Sequence, residues 1–239
     1  SAQRLLDEDQ LPAPGRDLLA AHLPAFLLGS IAADGHADAP GLRREDTHFY
    51  TYDRPIVTPL PEVMLTRYPS LAAPATAVQR AFVAGYIGHL ALDEIWTEQV
   101  TRPYFTESVW GSSTERFLML NMLLIGRDER DRASLRPGLM AALSRACPAD
   151  WLPFLPDSAL IAWRDLVARQ LEPGAPSRTL PIISQRTGRP VDELRALADS
   201  EEALESRLWS HIPRRVADET EIQMQAYALE QVALYLGGG

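Results

Sequence analysis

The residues able to bind a cation crowd into the first part of the chain. Five histidines occur, at positions 22, 36, 48, 89 and 211, and four of them fall within residues 1–89, interleaved with aspartates. The sharpest element is Gly85-Tyr86-Ile87-Gly88-His89-Leu90-Ala91-Leu92-Asp93. On a helix, residues four apart project from one face with Cβ atoms about 6 Å apart, so His89 and Asp93 can ligate one cation or share a hydrogen bond. Gly29-Ser30-Ile31-Ala32-Ala33-Asp34-Gly35 ends in a pair that reads as a helix-terminal turn. Arg44-Glu45-Asp46-Thr47-His48-Phe49 sets a histidine between polar and aromatic neighbours. Imidazoles and carboxylates of this kind suit zinc, with Mn or Fe as alternatives. A cation so held lowers the pKa of water toward 7 and polarises a phosphoryl or carbonyl oxygen. Arg43 and Arg44, close to His48, can grip an anion bidentately or pair with Glu45 and Asp46. Tyr50, Tyr52 and Tyr86 are candidates to line such a pocket or to pack in the core.

Helices must position these groups, because apolar residues recur with a 3.6-residue period nearly throughout. The pattern predicts helices over 17–31, 75–100, 132–145, 158–170, 191–198 and 200–236, and one starting at Ser112 with serine caps. Alternating runs are almost absent, and Thr179–Ser184 is too short to argue for a strand. The fold class is all-α. Gly85 and Gly88 weaken a helix by roughly 1 kcal/mol each unless another segment packs closely there. Five prolines at 55, 59, 61, 69 and 74 speak against a regular helix between Tyr50 and Pro74, which reads as a mobile loop or lid over the site. Further breaks lie at Pro148–Pro156 and Glu172–Pro181. Residues 1–147 then form a metal-binding helical core with the proline-rich loop at 50–74. Residues 148–239 form a helical extension packed on the same domain.

Composition removes whole mechanisms. All 23 basic residues are arginine, so lysine chemistry (Schiff bases, a PLP anchor, a P-loop lysine) is excluded. A net charge of −9 opposes general attraction to nucleic acid or anionic membranes. The single cysteine, Cys147, makes no internal disulfide and reads as a buried, inert thiol. No apolar run approaches the ~18 residues of a membrane span, and Ser1–Gln10 is polar and acidic; the expected location is cytoplasmic. There is no His-Asp dipeptide, His-Glu-x-x-His, Gly-x-Ser-x-Gly, Gly-x-Gly-x-x-Gly or Cys-x-x-Cys. His36 reads as a solvent-facing residue of a flexible turn, and His211 as a helix end.

In order, the elements are a helical His22, then Gly-Ser-Ile-Ala-x-Asp, Arg-x-x-Thr-His-Phe, and Gly-Tyr-Ile-x-His-Leu-x-x-Asp-x-x-Trp. Together they resemble the bacterial zinc-dependent phospholipase C family, whose all-helical scaffold is shared with certain fungal zinc nucleases. The resemblance spans Leu19 to Trp96. It implies Asp34, His48, His89 and Asp93 around one zinc, with His22 on a neighbouring zinc that Asp93 can bridge. It also implies hydrolysis of phosphodiesters by metal-activated water. The family's later histidine-and-glutamate ligand set has no counterpart, because the one later histidine, His211, is followed four residues on by Arg215. One or two metals are therefore implied, and not three. Ala33-Asp34 stands where the family usually has Pro-Asp.

The expectation is a metal-dependent hydrolase of phosphoester or phosphodiester bonds in a lipid-like or small-molecule substrate. Asp34 and Asp93 would serve as base or bridge and Arg44 would bind the anion. One alternative is a tailoring enzyme that uses the metal as a Lewis acid for cyclisation or dehydration of a small metabolite. Another is a non-enzymatic helical module with a vestigial site. Nucleic acid is not an expected partner, and the oligomeric state is not readable.

Overall fold

The computed structural model describes residues 11–172 and 179–237, together with Gln3 and Leu5. The chain is all-α: no strand occurs among the described residues. In chain order the helices are α1 (Ala13–Ala21), α2 (Leu23–Ala32), α3 (Arg44–His48), α4 (Leu60–Arg67), α5 (Ala77–Trp96) and α6 (Ser113–Ala133). Then follow α7 (Leu139–Leu143), α8 (Asp157–Gln170), α9 (Thr179–Thr187), α10 (Val191–Asp199), α11 (Glu201–Leu204) and α12 (Arg214–Tyr235). A 3-10 turn, Ala33–Asp38, continues α2, and π-helical segments follow α5 (Thr97–Thr106) and α11 (Glu205–Trp209).

Prolines explain most departures from the sequence pattern. The helix expected over 17–31 is two helices bent by 90° at His22. Pro24 lacks an N–H and its ring would strike the carbonyl of Ala20, so the chain restarts with Pro24 in the first turn of α2. Between Tyr50 and Pro74 the structure does contain a helix, α4, contrary to expectation. Pro59 and Pro61 occupy its cap and first turn, where no N–H is needed, and Pro69 falls just beyond its end. Pro137 and Gly138, the latter at φ +89°, cut the segment expected over 132–145 down to α7. Pro213 likewise divides the segment expected to run from Ser200 to Leu236. Thr179–Ser184 lies inside α9, so it is helix. Pro173–Arg178, most of the expected break before it, lies outside the described residues. Ser1–Gln10 does too, apart from Gln3 and Leu5.

Caps place the two long helices that carry chemistry. Thr76 accepts the Gln79 N–H at 3.1 Å to start α5, and Ser112 accepts the Glu115 N–H at 3.1 Å to start α6, as its serine cap predicted. At the far end of α5, Pro103 cannot donate a helical bond, and the backbone takes the wider π register, closing with Glu107 N–H on the Arg102 carbonyl at 2.8 Å.

Helix α5 is the axis of the molecule, with α2 on one side and α12 on another. A Cβ at Gly29 would lie 1.9 Å from the Phe82 carbonyl oxygen, and one at Gly85 would lie 2.2 Å from that of Phe26. The α2 and α5 backbones therefore touch, and glycine at both positions is what allows it. A Cβ at Gly88 would lie 3.1 Å from Leu5 and 3.6 Å from Val232, so α12 also comes close. Around the crossing Phe26, Leu28, Phe82 and Tyr86 are fully buried, each burial contributing roughly 1.5–3 kcal/mol.

The interior forms two hydrophobic clusters. The first joins α2, α4 and α5 with α7, α8 and the end of α12. The second joins the π segment's Val100 and Phe105 with α6, α9, α10 and Leu208. This division does not follow the expected boundary at 147/148: α8 and α12 complete the first cluster, and Trp163 of α8 donates to the Ile31 carbonyl of α2 at 2.8 Å. Among the described residues no single helix is long and apolar enough to cross a membrane. Cys147 is exposed, contrary to expectation.

Candidate metal centre

The α2–α5 crossing delivers the first ligand. Ser30 follows the contact glycine Gly29, and His89 lies one turn beyond Gly85. His89 Nδ1 therefore reaches the Ser30 carbonyl at 3.0 Å. A carbonyl only accepts, so Nδ1 carries the proton and Nε2 keeps its lone pair. His48, in the last turn of α3, is 1% exposed and is held in the same way. Its Nδ1 donates to the Arg44 carbonyl at 3.2 Å and lies 3.1 Å from Thr47 Oγ1. Phe49, at φ 65°, ends α3 directly after it. Tyr86 of α5 locks this turn from below by donating to the Thr47 carbonyl at 2.7 Å. Main-chain carbonyls thus fix the tautomer and direction of both rings.

The bare nitrogens converge. His48 Nε2 lies 3.4 Å from His89 Nε2 and 3.4 Å from Asp34 Oδ1, the latter supplied by the 3-10 turn after α2. A tetrahedral centre with bonds of about 2.0–2.1 Å would space its ligand atoms about 3.3–3.4 Å apart, which the two separations from His48 match. Asp34, His48 and His89 form the one such group among the described residues. Charge states agree with this role. Burial pushes the His48 imidazole below its ordinary value, against the attraction that Asp34 offers its protonated form, so it is neutral near pH 7. Burial alone would raise the Asp34 carboxyl, but the contact with His48, and the charge that His89 and His48 carry when protonated together with that of Arg44, hold it well below the carboxylate range.

No protein-family profile, curated protein or solved structure matches the chain. The site therefore rests on its own geometry.

Asp93 takes a different position from the other candidates. Its Oδ2 is 3.6 Å from His48 Nε2, yet its strong contacts are Arg44 Nη2 at 2.5 Å and the Tyr50 hydroxyl at 3.3 Å. Tyr50 accepts from Arg44 at 2.7 Å and lies 2.7 Å from Thr97 Oγ1 at the start of the π segment. The Arg44 guanidinium lies over the Tyr50 and Tyr52 rings, 4.5 and 4.8 Å from their centroids. Arg44 is thus anchored beside the candidate metal ligands. Arg43 points away to Glu45 and Asp46 on the surface.

His22 does not join them. It caps the far end of α2, ten helical residues from Asp34's turn, or about 15 Å along the axis. His36, expected in solvent, packs edge-on against His48 at 5.5 Å between centroids and reaches the Ala33 carbonyl at 3.0 Å. His211 lies in the turn after the second π segment and stacks on Trp110 at 4.5 Å. Sequence reasoning missed the Ser30 and Arg44 carbonyls, Thr47 and Thr97. Backbone acceptors leave no trace in residue type, although paired glycines at 29 and 85 signal where the chains meet.

Only the start of the proline-rich stretch reaches the site, through Tyr50 and Tyr52. Further along, Glu98 accepts the Ile56 N–H at 3.0 Å, and Glu94 accepts the Leu60 N–H at 2.8 Å and the Tyr227 hydroxyl at 3.0 Å.

Proposed function

We propose that Asp34, His48 and His89 hold one divalent transition metal, zinc by donor chemistry with Mn or Fe as alternatives. We further propose that the protein is a metal-dependent hydrolase of a phosphoester or phosphodiester in a lipid-like or small-molecule substrate. The observation that carries the reading is the convergence of two bare imidazole nitrogens and one carboxylate oxygen beside an arginine. When bound, the metal supplies a Lewis acid that activates water and polarises the phosphoryl oxygen.

The chain's own groups do the rest. Both hydrogen bonds found for the Arg44 guanidinium among the described residues leave from Nη2, so Nη1 and Nε can receive an anionic oxygen. Tyr50 and Thr97 hold that guanidinium in place. Asp93, against both His48 and Arg44, is placed to take a proton from an attacking water. This reading agrees with the resemblance to zinc-dependent phospholipases C.

Hydrolysis of bis-p-nitrophenyl phosphate tests it. The zinc-loaded protein should turn the ester over, chelation should abolish turnover, and Arg44→Gln should raise KM more than it lowers kcat. A metal-loaded protein inert toward phosphoesters would refute hydrolysis. That outcome would support a second reading, Lewis-acid cyclisation or dehydration of a small metabolite, which the single three-ligand group favours.

A further inference from the structure

Beside α2, enclosed by α6, α7 and α8, lies a cavity of about 390 Å³. That volume is at the lower end of the range of roughly 300–1,000 Å³ that holds small ligands. Leu27 and Ile31 of α2, Leu139 and Leu143 of α7, and Val167 of α8 give it apolar walls. Ser30 lines it too, and Asp34 follows Ile31 by three residues, so the cavity ends about one helical turn from the candidate metal ligands.

The rim is acidic, carrying Asp128, Glu129 and Asp131 of α6. Glu129 is paired with Arg195 at 2.7 Å, and Asp131 has partners of its own. Arg132 is turned to the Glu172 carbonyl at 3.0 Å. Asp128 makes no hydrogen bond or ion pair among the described residues. It faces solvent within a concavity. Desolvation there, with the Asp131, Asp34 and Glu129 carboxylates, pushes it up to about 6 against the opposing pull of Arg127. Among the described residues no ion pair neutralises this carboxylate.

We propose that this cavity binds an apolar molecule carrying a protonated amine, with its hydrocarbon body between Leu27, Ile31 and Leu139 and its ammonium group on Asp128. An anionic amphiphile would meet three carboxylates at the mouth, and a neutral one would leave Asp128 without a partner. The proposal goes beyond the hydrolase reading and does not depend on a bound metal.

Calorimetric titration with n-decylamine, n-decanol and n-decanoate below their micellar concentrations decides it, run on metal-free and zinc-loaded full-length protein. Decylamine should saturate a single site in both forms, and decanoate should bind at least tenfold more weakly. Asp128→Asn should weaken decylamine about tenfold and leave decanol unchanged. Leu139→Trp should remove both by filling the cavity. Asp128 is exposed and Leu139 only partly buried, so both variants should keep the helical circular dichroism of the parent. Decanoate binding as tightly as decylamine, an unchanged affinity in Asp128→Asn, or no saturable binding of any of the three would overturn the proposal. Amine binding by a protein that takes up no metal would leave it standing while the hydrolase reading fell.

Discussion

His48 and His89 face each other Nε2 to Nε2 at 3.4 Å, while each Nδ1 is committed to a main-chain carbonyl. Two lone pairs and the Asp34 carboxylate this close are mutually repulsive unless a cation or a proton lies among them. Elemental analysis of protein purified without chelator should find about one equivalent of zinc, manganese or iron. His89→Ala and His48→Ala should lose it, along with the thermal stabilisation that added metal confers through mass action. His22→Ala should retain both. Metal-free parent protein with no thermal response to any of the three ions would mean a shared proton, and the site would fall.

Gly29 and Gly85 set the position of His89 without touching any ligand. A methyl group at either would overlap a carbonyl oxygen of the facing helix, so Gly85→Ala must force α2 and α5 apart. Urea denaturation should register a loss of about 2 kcal/mol or more, at the upper part of the overpacking range. Because the Ser30 carbonyl would withdraw from His89, zinc affinity should drop as well. Gly126→Ala, where a Cβ meets nothing within 4 Å, is the control and should be neutral or slightly stabilising.

The His48 imidazole predicts an acid-labile metal-free form. Burial holds its folded pKa below the ordinary 6.5, so the unfolded chain binds the proton more tightly. Stability from this group is complete above about pH 6.5 and is lost as pH falls below it. Asp34, also depressed, loses its contribution in a lower window, below the ordinary carboxylate value of 3.8. The melting temperature of metal-free protein should therefore decline between about pH 7 and pH 5, and His48→Gln should flatten that decline. An equally steep decline in the variant would assign the effect to other groups.

Glu98 and Glu94 should keep the 50–60 stretch closed to proteases. Each accepts a main-chain N–H from it, bonds to charged groups being worth about 1.5–3 kcal/mol. Limited thermolysin digestion should spare the Ile56–Val57 bond in the parent protein and cut there in Glu98→Ala. Rapid cutting at Ile56–Val57 in the parent would restore the picture of a mobile lid.

Much of the fold was legible because its causes are local. The 3.6-residue period, the serine cap at Ser112 and the absence of alternation made the chain all-α before any contact was known. Pro24, Pro59 and Pro61 were equally visible, but their effect depends on whether each falls in a helix interior or a first turn, and neighbouring residues alone do not settle that.

His89 and Asp93 were placed on one helical face by their spacing alone, and the glycines near them signalled a close approach. What the sequence could not settle was which residues meet. Asp34 and His48 come to His89 only because Gly29 and Gly85 let two backbones touch and because α3 ends where it does. His22, equally a histidine near the start of the same helix, is left at its other end by 1.5 Å of rise per residue. Asp93, one turn from His89, is drawn to Arg44 instead, an attraction between residues 49 positions apart that only the tertiary arrangement brings within reach.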